Sequence, residues 1–137
     1  MTREETLAAY KACMIILTRR SDDVVMRDTH VKDYQEMANN MRHNQKAITA
    51  IMAINKALDL SPLDMSMLKE SHELKDERAC LIIAAMDNIT ALKAYLAMLI
   101  ACHALGTPTS EQIEWFDLYG KMHHVTYKQL KEAIAKR

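Results

Sequence analysis

The densest chemistry in the chain is the run Glu70-Ser71-His72-Glu73-Leu74-Lys75-Asp76-Glu77. On a helix, side chains three or four positions apart are neighbours, so Glu70 faces Glu73, Glu73 faces Asp76, and His72 faces Asp76. Carboxylates at that spacing can hold Mg²⁺ for phosphate chemistry. One reading is therefore an Mg-dependent all-α nucleotide hydrolase using Glu70, Glu73, Asp76 and Glu77. Against it, the two carboxylate pairs overlap on one short segment, and no second acidic helix lies at a suitable spacing. Lys69, Lys75 and Arg78 are interleaved with the acids, as on a solvated face laced with ion pairs. The solvated face is the preferred reading, and neither a metal nor a cofactor is expected.

Cys102-His103 and His123-His124 are the next candidates, and they meet only if the helices that carry them are antiparallel neighbours. Adjacent helical residues point about 100° apart, so neither pair chelates by itself. No C-x-x-C, H-E-x-x-H or E-x-x-H spacing is present. Structural histidines are expected. A third group, Lys121, His124, Lys128 and Lys131, lies along one side of the last helix, and Arg42, His43 and Lys46 form a smaller cluster. These could contact phosphates, which makes a nucleic-acid-binding oligomer a further alternative. Few aromatic residues are interleaved to stack bases, and the formal charge is zero, with 18 basic and 18 acidic residues. Nucleic acid is thus an unlikely partner. With two glycines in the chain there is no glycine-rich phosphate loop, and no nucleophile has an identifiable base. No catalytic residue is assigned.

These groups need helices to hold them, and the punctuation supplies helices alone. Half of the 137 residues are hydrophobic, seven are aromatic and eleven are Met, with two Gly and two Pro. So little turn chemistry leaves few, long elements. Residues 62–105 contain no internal Gly or Pro and read as one deeply buried helix. Ser61 caps it, Pro62 takes its first position, and Gly106 and Pro108 end it. Unbroken, it would be about 65 Å long, so a bend or break is expected in the polar run Glu70 to Arg78. Leu68, Ala79, Ile82, Met86, Ile89, Leu96, Ile100 and Ala104 share one face, assigned to the core. Cys80, Ala84, Ala91, Ala94, Met98 and Cys102 line the opposite face, where small side chains admit a second helix. That face is the expected interaction surface.

The other segments follow in order. Thr2 with Glu5 makes a capping box for a first helix, apolar from Leu7 to Leu17 and buried on much of its girth. A second helix runs from Asp22 or Thr29 to Leu58. Val24, Val31, Ala38, Gln45 and Met52 recur on it every seven residues beside Tyr34, Met41, Ile48 and Asn55. Gln45 and Asn55 are polar positions in that seam: either they set its register or they lie at a solvated edge. The last helix begins near Thr109 or Ser110 and passes through Gly120, which either admits a close neighbour or marks a kink.

Three cysteines, two of them about 33 Å apart on one rod, fit buried reduced thiols in a cytoplasmic protein. The N-terminal residues do not resemble a signal peptide. The uncharged apolar run within 94–105 falls short of the roughly 18 residues a membrane span requires. The fold expected is all-α: a single domain over 1–137, in an elongated antiparallel bundle of about four helices, two of them long. The function expected is non-enzymatic: an adaptor, chaperone or inhibitor, of bacterial or phage accessory type, working through a Met/Ala-rich helical surface. Its partners would be another protein, itself as a homo-oligomer, or both.

Overall fold

The structure, a computed structural model, describes residues 1–19 and 45–136. Among those residues there are seven α-helices and no strand. They are α1 (Arg3–Leu17), α2 (Gln45–Ala57), α3 (Ser66–Glu73), α4 (Asp76–Ala84), α5 (Asn88–His103), α6 (Ser110–Gly120) and α7 (Tyr127–Ala135), with a 3-10 turn at Lys121–His123 before α7. The all-α expectation holds. The expected elongated bundle of about four helices does not appear in this form, because the helix expected over 62–105 and the last helix are each divided. The heptad row Val24, Val31, Ala38 with Tyr34 and Met41, the cluster residues Arg42 and His43, and the start of that helix lie outside the described residues.

The helix enclosed by its neighbours is α1. Its entry is the capping box legible in the sequence: the Glu5 amide donates to Thr2 Oγ1 at 3.1 Å, and the Thr2 amide donates to Glu5 Oε1 at 2.8 Å. From Thr6 to Leu17 all but Leu7 and Lys11 are buried. α3, α4, α5 and α6 all pack against it. Small residues make this possible: Ala8, Ala9, Ala12 and Cys13 are fully buried and let neighbouring backbones come close.

The rod expected over 62–105 is three helices. Pro62 does not begin one. Instead the Asp64 carboxylate accepts from the Ser66 amide at 2.9 Å and the Ser66 hydroxyl at 2.7 Å, and α3 starts there. The first break falls in the polar run, as expected: Leu74 and Lys75 are both extended, with ψ of 126° and 144°. The second falls at Asp87, whose carboxylate caps α5 by accepting from the Thr90 amide at 2.8 Å. At the far end Gly106 takes a φ of 115°, a conformation open to glycine at little cost.

The face assignment on α5 is the main correction. Ala91, Ala94, Tyr95, Ala97, Met98, Ala101 and Cys102 point inward, and Ile89, Leu92 and Ile100 point outward. Leu68, Ala79 and Met86 do join the core. Beyond the Asp87 break, however, the helix no longer continues the rotation of an ideal rod, so the inward face is re-chosen. It falls on the alanine side, because α1 and α2 both pack on α5 and a close approach needs small side chains.

The last helix is divided as well. A Cβ on Gly120 would lie 1.9 Å from the Val125 carbonyl oxygen, so both expectations for this glycine are met: a close neighbour and a kink. The Val125 amide returns to the Gly120 carbonyl at 2.9 Å. His124 carries a φ of 58°, and Thr126 caps α7 through the Gln129 amide. α2 is held by Asn55, which is fully buried. Its Nδ2 donates to the Pro62 and Asp64 carbonyls at 2.9 and 3.0 Å and pins the loop between α2 and α3. Gln45, its polar companion in the seam, is exposed.

Two substitutions check this arrangement by thermal unfolding. Gly120→Ala must push the Val125 carbonyl away and should cost about 1–3 kcal/mol; an unchanged melting temperature would show that the two backbones do not meet. Met98→Ala should cost about 2–5 kcal/mol and Ile89→Ala less than about 0.5 kcal/mol; the reverse order would restore the face assignment read from the sequence.

Candidate functional site

Several interior polar side chains are bonded to other protein groups. The Tyr95 hydroxyl donates to the Tyr119 carbonyl at 2.8 Å, and the Tyr119 hydroxyl donates to Asp76 Oδ1 at 2.5 Å. Burial, and then the adjoining Asp76 carboxylate, drive the Tyr119 phenol far above its ordinary range, while Tyr95 is pushed up to about 12, mainly by burial. Gln112 is fully buried and donates to the Ile16 carbonyl at 3.1 Å. Such fully bonded groups fix helices against each other.

The acidic run is dispersed. Glu70 is ion-paired with Arg3, and Glu4 with Arg78 at 2.7 Å, so two cross-links tie α3 and α4 to the start of α1. Both are well exposed and each contributes at most about 1 kcal/mol. Asp76 is taken by Tyr119, and Glu73 and Glu77 are exposed. The break at Leu74-Lys75 places Glu70 and Glu73 on one helix and Asp76 and Glu77 on the next. Among the described residues no group of three or more His, Cys, Asp or Glu side chains is arranged to hold a metal.

Cys13 and Cys102 are thiols enclosed by protein, and Cys80 is half-buried. Burial, and then Asp117, push Cys102 up to about 12; burial, and then Cys102, raise Cys13 further; burial raises Cys80 less. All three are unbridged, and thiols held protonated are poor nucleophiles. The histidines have separate partners. His123 Nε2 lies 2.7 Å from the Ile83 carbonyl, with its ring edge-on to Tyr95. His103 Nε2 lies 2.7 Å from the Tyr127 hydroxyl, and the two rings stack. That second pairing was not foreseen in the sequence, where His103 was matched with the pair at 123–124.

The basic stripe falls on two elements. Lys121 and His124 line a depression of about 350 Å³ with Asp117, Val125, Thr126 and Gln129, so a carboxylate shares the space. Asp117 is engaged there by the Tyr127 amide at 2.7 Å. Lys128 and Lys131 sit beyond the break on exposed positions of α7, with the Lys131 ammonium 5.7 Å from the Tyr127 ring centre.

Of the six residues expected to form an interaction surface, Ala91, Ala94, Met98 and Cys102 are in the core. Cys80 is half-buried and Ala84 exposed. Leu63, Leu81 and Leu118 are exposed singly on other elements, and on α5 the apolar side chains that meet water are on its other side. Ile89 is 85% exposed, Leu92 43% and Ile100 38%, with Leu96 and Leu99 half-buried between them. At one edge of this row Asn88, Ala91, Leu92, Tyr95, His123 and Val125 line a second depression, of about 280 Å³. The sequence carries the signal, since Ile89, Leu96 and Ile100 share a stripe, but the same signal describes a core face.

No protein-family model, curated protein or solved structure matches this chain. Among the described residues no helix is long and apolar enough to cross a membrane.

The His103 environment gives a titration to measure. Burial, and then the Lys131 charge, hold its imidazole below the ordinary value. The neutral ring is thus favoured in the folded state, and this contribution to stability is present above the ordinary histidine range and lost as pH falls through the folded-state value. Lys131→Ala should move the His103 titration upward when followed by NMR; no movement would separate the two groups.

Proposed function

We propose that the chain is a non-enzymatic interaction protein, an adaptor, chaperone or inhibitor, whose docking surface is the outward face of α5. The observation that carries this reading is the exposure of Ile89, Leu92 and Ile100 on one helix whose opposite face is already in the core. Isoleucine at 85% exposure adds nothing to the fold of the protomer. Contiguous apolar side chains left in water mark interaction sites. The unbridged cysteines suit a cytoplasmic setting.

The surface differs from the Met/Ala-rich one expected at first, while the class of function is the same. Self-association uses this face equally well in principle, and the homo-oligomer is the second reading. The Mg-dependent hydrolase has lost its carboxylate cluster to ion pairs and to Tyr119. The nucleic-acid reading rests on Lys121, His124, Lys128 and Lys131, which share their region with Asp117.

The test compares wild type with an Ile89→Asp, Ile100→Asp double variant. Both residues are exposed, so circular dichroism and melting temperature should hold within about 0.5 kcal/mol per site. Proteins of the native host retained by the immobilised chain should be displaced by free wild type and not by the double variant. Displacement by both would remove the α5 face from the interaction.

A further inference from the structure

We propose that the depression between α5 and the turn after α6 binds a small neutral aromatic molecule with one hydrogen-bond donor, of the indole or phenol class, whose donor meets Nδ1 of His123. The proposal does not rest on the docking reading of the apolar row. Two small residues make the hollow. Ala91 and Tyr95 form its floor, at 1% and 0% exposure, and Ala91 ends at Cβ and leaves the space above it open. Gly120 has no Cβ, so the chain folds back against it and the Val125 amide reaches the Gly120 carbonyl at 2.9 Å. That return brings Val125 to α5, where it lines the hollow with Leu92.

Size and lining set the class of guest. The volume is about 280 Å³, just under the roughly 300 Å³ at which sites for small molecules begin, so one or two rings fit. The lining residues Asn88, Ala91, Leu92, Tyr95, His123 and Val125 include no Asp, Glu, Lys or Arg. A carboxylate or ammonium placed there would lose water and gain no counter-charge. The depression on the other side of Val125 differs, since Asp117 and Lys121 both line it. The rings of Tyr95 and His123 meet edge to face at 5.8 Å, and Tyr95 also meets Phe116 at 6.1 Å. An aromatic guest extends this array at the usual centroid distances of about 4.5–7 Å.

The hydrogen-bond donor follows from the bonds already made. The Tyr95 hydroxyl is committed to the Tyr119 carbonyl at 2.8 Å, and the Asn88 side chain is at the exposed rim. A carbonyl oxygen only accepts, so His123 Nε2, 2.7 Å from the Ile83 carbonyl, carries a proton. In the neutral imidazole the second nitrogen, Nδ1, then holds a lone pair and accepts. Beside apolar walls that acceptor selects a guest with an N–H or O–H, because a guest without one leaves it unpaired and out of water.

The experiment titrates the full chain, labelled at its methyl groups and imidazole nitrogens, with indole, N-methylindole and benzoate by NMR. Indole should shift the Leu92 and Val125 methyls with a Kd of about 0.1–1 mM and move the His123 Nδ1 resonance upfield. N-methylindole keeps the ring and lacks the donor, and it should bind about ten-fold weaker or more. Benzoate should not bind. Val125→Phe fills the hollow, leaves His123 in place and should abolish the indole shifts with helicity unchanged. Leu92→Trp narrows the same hollow from an exposed position and repeats the test if Val125→Phe does not fold. Equal binding of indole and N-methylindole would overturn the donor assignment, and benzoate binding as tight as indole would overturn the neutral class. Shifts scattered over the surface and retained in both variants would mean partition at high concentration only and would sink the site, as would the absence of any shift. Capture of host proteins is no part of this readout, so the inference and the docking reading fail separately.

Discussion

A helix that meets water on no side needs a neighbour on every side. From Thr6 to Leu17, α1 comes close to that condition, and the remaining described structure is shaped by supplying the walls. Long straight helices are poor material for this, because a straight rod touches a cylinder along one line only. Short helices joined by sharp breaks wrap around it. The extended pair Leu74-Lys75, the Asp87 cap and the Gly120–Val125 turn are the places where the wall changes direction. The same requirement explains the inward alanines of α5, since a wall helix must come close to the rod it covers.

Enclosure also has to satisfy the polar ends of what is enclosed. The last carbonyls of a helix have no partner within it. In α1 the Ile16 carbonyl accepts from Gln112, and beyond it the Arg19 carbonyl accepts from the Thr109 hydroxyl at 2.9 Å. Arg19 in turn lies over the Trp115 ring, 4.6 Å from its centre. One end of α1 is therefore finished by the start of α6, and the other is clasped by Glu70 and Arg78. Between them Tyr95, Tyr119 and Asp76 couple α5, α6 and α4. The buried polar atoms set how the short helices lie along α1, which apolar packing alone would leave loose.

Local signals of this architecture were legible in the sequence. The Thr2–Glu5 capping box, the start of a helix at Thr109-Ser110, the turn at Gly106 and the tight spot at Gly120 are each written in a few adjacent residues, and each appears in the structure. The choice of faces was not legible. On residues 88–103 one side carries Ile89, Leu96 and Ile100 and the other Ala94, Met98 and Cys102, and a hydrophobicity rule favours the bulkier side. Proximity to α1 decides the other way, and proximity is a tertiary fact. Asp87 was visible as a polar interruption but not as a cap, because the apolar residues on either side suggested continuity. The acidic run showed the opposite failure. Its spacing is real on a helix, yet its partners Arg3 and Tyr119 lie far away in the chain.

The Gln112 bond to Ile16 spans 96 residues, and this bears on how the chain is made. Translation runs from the N-terminus, so α1 emerges long before the segment that completes it. At typical elongation rates the interval between Ile16 and Gln112 is about 5–20 s. During that time a stretch rich in Ala, Ile, Leu and Met has no finished cover, while its local hydrogen bonds form within microseconds. The element that ends up most hidden is thus, on the ribosome, the one that waits longest for shelter.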